Sequence, residues 1–320
     1  MAILRVVPDH FNIRFMRARL IAFPLTVALS LASVLAFVFI GPNYGIDFRG
    51  GTSIELSRVD AEIGVGEIRE IVGALDLGDV QVQEVSAPDG DMNFLLRIEQ
   101  QEGDEASQQA AIDQIRTALG DRVAFERTES VGARVAGELA SKAAIATLIT
   151  ILAVMIYVWF RFEWQFAVGA IIGTINDVLM TLGFFVVTGL EFNLASIAAI
   201  LTIVGFSLND KVVVYDRIRE VLRKYKKLSI SDVLDRGINE TMSRTLITSL
   251  TTLLVLGALF FLGGEVIRSF VAAMLFGVVA AVYSSIYIGA PVLIYFNLRR
   301  DTSTEEAETP PTAPTAAVEG

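Results

Sequence analysis

Three ionisable side chains interrupt stretches that are otherwise apolar: Asp177, Asp210 and Arg244. Such a group at the centre of a membrane helix costs on the order of 2.5–3.5 kcal/mol on insertion scales, so each needs a partner or a function. The chemistry that two carboxylates and a guanidinium offer is proton uptake and release. At 1.5 Å per helical residue, Asp177 falls about 16 Å into its apolar run, near the middle of a ~30 Å hydrocarbon core. Asp210 falls about 24 Å from the outer end of the next run. Arg244 opens the following run at a comparable depth, so an Asp210–Arg244 ion pair is geometrically permitted. Burial disfavours a charged carboxylate and a neighbouring guanidinium favours it, a balance suited to a proton carrier. Polar neighbours support the reading. Ser207 and Asn209 precede Asp210, and Asn176 precedes Asp177. Thr248, Thr251 and Thr252 follow Arg244 on one helix face, a stripe that could hold a short water chain. Structural roles compete with this chemistry: Arg244 snorkelling to headgroups, Asp177 accepting a hydrogen bond between helices, and Lys211 and Asp216 marking the end where their helix leaves the membrane.

Other chemistries find no footing. The chain has no Cys, which removes disulfides, thiolate metal sites and Cys catalysis together. Its single His, His10, precedes the first apolar run, so no His-metal, Ser-His or His proton-shuttle arrangement can be built inside the membrane. The phosphate-loop, H-E-x-x-H and G-x-S-x-G patterns are absent. An intramembrane aspartyl protease needs two carboxylates within a few Å, whereas Asp177 and Asp210 differ by about 8 Å in expected depth. No enzyme, metal or cofactor is expected. The formal charge of −10, with 26 basic and 36 acidic side chains, excludes a nucleic-acid partner. A protein that moves something, or regulates one that does, remains.

The elements that must hold these residues follow from composition: 53% hydrophobic and 19% charged is a membrane protein's balance. Six spans of suitable length are expected at Leu20–Ile40, Ala143–Phe160, Phe166–Thr188, Leu194–Val214, Thr245–Leu262 and Ile267–Asn297. The first follows Arg14, Arg17 and Arg19 but is too long for a signal peptide and lacks its cleavage pattern, so it is read as a retained helix. Basic residues gather before span one, between spans four and five from Arg217 to Arg236, and at Arg299 and Arg300 after span six. By the positive-inside rule these segments and both termini are cytoplasmic. Residues 1–19 then form a cytoplasmic N-terminus, 20–40 the first helix, 41–140 an extracytoplasmic domain, 141–298 a five-helix bundle and 299–320 a disordered cytoplasmic tail. Segment 41–140 holds 20 acidic and 8 basic side chains, so the net charge of the chain belongs to this domain.

Within the segment the periodicity changes. Strands are predicted at Thr52–Ser57, Val80–Val85, Phe94–Ile98 and Val123–Thr128, and helices at Val65–Leu75 and Glu105–Leu119. A turn at Pro88–Asp91 joins the second and third strands as a hairpin. The β-α-β-β-α-β order is that of a ferredoxin-like α+β domain.

The run Gly45-Ile46-Asp47-Phe48-Arg49-Gly50-Gly51-Thr52, just after span one, resembles the SecD/SecF family, accessory subunits of the bacterial Sec protein-export machinery within the resistance-nodulation-division superfamily. The likeness continues through Ser207-Leu208-Asn209-Asp210-Lys211 to Glu220 and through Ser243 to Ser249, and covers nearly the whole chain except the Pro-rich tail. It resembles the SecF half. The resemblance implies a multi-pass protein of the bacterial inner membrane that pairs with SecD, attaches to the SecYEG channel, has YajC and YidC as further candidate partners, and uses the proton-motive force to help unfolded preproteins leave on the periplasmic side. It implies proton movement through a membrane Asp and an Arg on the next span, here Asp210 and Arg244, and matches Asp177 to a recurrent acidic position. Lys211 departs from the Ser or Thr of that pattern. Six spans would be half of a twelve-span pseudo-symmetric transporter, with polar residues at the interface between halves. Gly50 and Gly51 let the chain turn from the helix exit into the first strand. Asp47 and Arg49 are read as structural, or as a hinge between membrane and domain. The rivals are a small-molecule or lipid exporter half and a passive scaffold.

Overall fold

Apolar runs of this length can satisfy their backbone in lipid only as helices, and six segments among the described residues fold so. The computed structural model describes residues 12–60, 62–86, 92–101 and 105–296. Helix α1 (Phe15–Phe39) leads into a two-residue strand β1 (Asn43–Tyr44), a single turn α2 (Ile46–Arg49) and an α/β domain. The domain runs β2 (Gly51–Arg58), α3 (Val65–Gly73), β3 (Val80–Ser86), β4 (Met92–Ile98), α4 (Glu105–Leu119) and β5 (Val123–Val131). Its sheet has the order β3-β4-β2-β5 with every neighbour antiparallel, which is the ferredoxin-like arrangement expected from the sequence. Strand alternation explains its two faces. Ile54, Leu56, Val82, Phe94, Leu96 and Ile98 point at Ile68, Val72, Ala111, Ile115 and Leu119 of the two helices. Ser53, Glu55, Gln83, Leu95, Arg97, Arg127 and Glu129 occupy the other face.

The chain then returns to long helices: α5 (Ala133–Arg161), α6 (Trp164–Thr188), a short strand β6 (Glu191–Phe192), α7 (Leu194–Lys224), α8 (Ile230–Leu262), α9 (Glu265–Ser284), a π-helical turn Ser285–Gly289 and α10 (Ala290–Tyr295). The π turn has a local cause. Pro291 brings no N–H for the carbonyl four residues back, and the Ala290 N–H reaches five residues back to Ser285. Strands β1 and β6 pair in parallel, Asn43 with Glu191 and Tyr44 with Phe192, tying the entry of the α/β domain to the start of α7.

Several helices outrun their apolar stretches. Helix α5 begins at Ala133, inside the segment expected to belong to the domain; α7 continues to Lys224, and α8 starts at Ile230 instead of Thr245. The extra turns are amphipathic: Ile218, Val221, Val233, Leu234 and Ile238 pack with Phe15 and Met16 in a core that apolar-run reading does not detect. Arg244 therefore lies in the body of α8 and not at its start. The His10 position, the turn at Pro88–Asp91, Arg299, Arg300 and the tail lie outside the described residues.

Candidate functional site

The buried polar centre of the bundle lies between two apolar cores, one around Tyr215 and one around Phe185. Asp177 of α6 and Lys211 of α7 form an ion pair there, Nζ to Oδ2 at 2.8 Å, and both side chains are 0% exposed. The ammonium spends all three donors: on Asp177, on Ser207 Oγ at 2.6 Å and on Ser284 Oγ at 2.9 Å. Ser207 in turn donates to Asp177 Oδ2 at 2.5 Å. Asn176 Nδ2 donates to Asp177 Oδ1 at 3.4 Å, and Ser30 of α1 donates to Asn176 Oδ1 at 2.6 Å. Four helices are thus joined through one saturated network. Gly173 makes the space, since a Cβ there would overlap Lys211 Cε.

This overturns the reading of Lys211 as a residue emerging from the membrane. A long side chain on a helix points back towards the N-terminus, so Lys211 reaches up the bundle and closes the depth gap to Asp177. Ser207 and Lys211, at i and i+4 on one face, are the sequence signal for it.

Asp210 points elsewhere because neighbouring helix residues project about 100° apart. It is 8% exposed; its Oδ1 accepts from Thr245 of α8 at 2.7 Å. Its Oδ2 is buried without a hydrogen-bond partner among the described residues. The expected Asp210–Arg244 pair is not among the ion pairs of the described residues: Thr245 takes the inward position, and Arg244 is exposed on the outward face of α8. Thr248 and Thr251 are also exposed, and they and Thr252 donate to carbonyls one turn back in their own helix, so among the described residues the hydroxyl stripe bonds to backbone and holds no chain of side-chain contacts. Asn209 is exposed beside Asp210.

The Gly45–Thr52 run forms the joint. Asp47 Oδ2 accepts from the N–H of Leu194 at 3.0 Å, and so caps the first turn of the helix that carries Asp210 and Lys211. Asn193 adds a capping box with Ser196. Arg49 lies over the Tyr44 ring at 5.7 Å. Gly50 and Gly51 have φ of 78° and 112°, and a Cβ on Gly51 would stand 2.5 Å from the Ile98 carbonyl oxygen. Sequence reading missed two residues of this joint: Glu191 of β6, and its ion-pair partner Arg97 of β4.

Residues 111–299 match the model for "Protein export membrane protein SecD/SecF, C-terminal", and residues 35–58 match the SecD/SecF GG motif. The chain is 42% identical over 307 residues to the protein translocase subunit SecF of Ketogulonicigenium vulgare, covering 93% of each chain. It is 41% identical over 306 residues to the protein translocase subunit SecDF of Brucella abortus, covering 95% of this chain and 40% of that one. Among solved structures, SecDF from Thermus, described as a translocon-associated membrane protein, matches with a TM-score of 0.79 and 32% identity. That match covers 93% of this chain and 40% of the other, so the chain spans less than half of the SecDF proteins it matches.

Proposed function

Because the chain belongs to the SecD/SecF family of protein-export membrane proteins and serves Sec translocation as an accessory protein, we propose that it couples the proton-motive force to the release of unfolded preproteins from SecYEG on the periplasmic side of the bacterial inner membrane. The observation that carries the proposal is the contrast between its two membrane carboxylates. Asp177 is saturated by Lys211, Ser207 and Asn176. Asp210 keeps one buried oxygen unpartnered among the described residues, and that oxygen can accept a proton. Asp210 is then the exchanging group and the Asp177–Lys211 pair a fixed strut between α6 and α7.

Protonating Asp210 removes its charge while Thr245 still donates to Oδ1, which relaxes the contact between α7 and α8. The outer end of α7 is held by Asp47 and by the β1–β6 pair, so a shift of α7 moves the α/β domain with it. Arg244, Asn209 and Thr248 face outward, where the matching half, SecD, would complete the proton path. Fusion of both halves in the SecDF relatives supports that pairing. The basic residues of α1 and of the α7–α8 connection support cytoplasmic termini. YajC and YidC remain proposed companions of the assembled complex.

The test is preprotein export into the outer compartment by the assembled complex, with ATP held constant, with and without an uncoupler. Wild-type export falls on uncoupling, and Asp210→Asn exports at the uncoupled level under both conditions. Normal, uncoupler-sensitive export by an assembled Asp210→Asn complex would overturn the proposal.

A further inference from the structure

The seam between the α/β domain and the membrane bundle is a cleft of about 650 Å³ bounded by the open face of the sheet, by Thr188–Asn193 and by Ser269. Glu191 is the carboxylate placed in it from the bundle side. Arg97 of β4, Asp47 of α2 and Glu129 of β5 act on it across the seam, and Glu55 of β2, Arg127 of β5 and Glu84 of β3, the last paired with Arg58, line the same cleft. Arg127 is engaged with Glu129. Arg97 is 8% exposed and meets Glu191 through Nη2 alone, while its buried Nε and Nη1 have no hydrogen-bond partner among the described residues. The pair therefore lacks the two-point fork that makes arginine–carboxylate contacts strong.

We propose that Glu191 is a second proton-binding site of this protein, in the seam and outside the membrane, and that a proton there seats the α/β domain on the outer end of α7. Three features of the geometry converge on it. Carboxylates gathered in one cleft disfavour one another's charge, the Glu191 side chain is half-buried at 22% exposure, and the facing guanidinium compensates through one nitrogen. Burial pushes the Glu191 carboxyl above the usual carboxylate range; the Arg97 guanidinium works against that rise, and Asp47 and Glu129 add to it. When the domain lifts, water reaches Glu191 and the carboxyl returns towards its ordinary value. The seated state thus binds the proton more tightly. Its gain is fully present below the ordinary value and is lost as pH rises through the raised one. The site sits three residues before Leu194, whose N–H is held by Asp47, so seating is felt at the start of α7. An acidic outer compartment closes the seam, and release of the proton loosens it. This inference rests on the proposed reading that the domain faces that compartment.

The chain has no cysteine, so Gln83→Cys and Ser269→Cys, on opposite walls of the cleft, can carry a pair of spin labels in the complete complex in lipid. Distances are read across a pH series. The short-distance population is expected to grow as pH falls, its ratio to the long-distance population changing by up to about tenfold per pH unit for one proton. Glu191→Gln is expected to stay seated at every pH. Arg97→Gln moves the transition to higher pH, and Glu129→Gln, the mildest change, moves it to lower pH. A Glu191→Gln protein that keeps the wild-type pH response, or is unseated throughout, overturns the inference. So does a wild-type seam that opens as pH falls, or a transition that ignores Glu129→Gln. The readout needs neither preprotein nor proton-motive force, so it stands or fails separately from the export experiment.

Discussion

Replacing Lys211 with Met removes the only cation that the described residues bring to Asp177, a side chain with 0% exposure. Two responses are open to the carboxylate. It can stay charged and unpaired, and breaking a buried pair in this way costs about 3–5 kcal/mol. It can instead take up a proton, which trades the unpaired charge for the cost of protonating a carboxyl group at neutral pH. Lys211→Met is therefore expected to lose about 3–5 kcal/mol of stability. The second route adds a signature, because each unit of acidification lowers the cost of protonation by about 1.4 kcal/mol. Removing both charges in Asp177→Leu/Lys211→Met should restore most of the loss, since a buried pair replaced by apolar groups is often neutral or better. The assay is steric-trap unfolding of the purified chain in bicelles over a pH series. A Lys211→Met protein within about 1 kcal/mol of wild type, or a double variant whose loss is the sum of its singles, would refute the strut.

Gly173→Ala places a methyl group where Lys211 Cε runs, and is expected to cost about 1–3 kcal/mol in the same unfolding assay. Asp47→Ala removes the acceptor for the Leu194 N–H; a loss of about 0.5–2 kcal/mol is expected, with faster hydrogen exchange confined to the first turn of α7. Arg244→Met, on an exposed face, should leave the stability of the isolated chain within about 0.5 kcal/mol of wild type yet lower uncoupler-sensitive export by the assembled complex.

The α/β domain is legible because its strands alternate and its helices show a 3.6-residue period; the expected strand at Val80–Val85 and helix at Glu105–Leu119 differ from β3 and α4 by at most one residue at an end. The membrane helices are legible where they are apolar and not where they become amphipathic: Val233, Leu234 and Ile238 are buried among charged neighbours that end an apolar run. The site divides along the same line. The unusual carboxylates stand out by type alone. Their partners depend on which way each side chain points, and one helical position separates the expected pairing to Arg244 from the observed bond to Thr245. Lys211 reads as the end of a span because Lys next to a charged segment usually snorkels, and its burial depends on a glycine 38 residues earlier in the chain. Glu191 sits in a short link whose packing against the sheet is a tertiary fact with no local signal.

The proposed mechanism makes Asp210, and not Asp177, the carboxyl group that exchanges the proton. Infrared difference spectra of the assembled complex in lipid, recorded between acidic and neutral pH, read this through the stretch of a protonated carboxyl shielded from bulk water. That band should be present in wild type and in Asp177→Leu/Lys211→Met, and absent in Asp210→Asn. A band that survives Asp210→Asn and vanishes with the Asp177–Lys211 pair would assign the proton to the other carboxylate and contradict the mechanism.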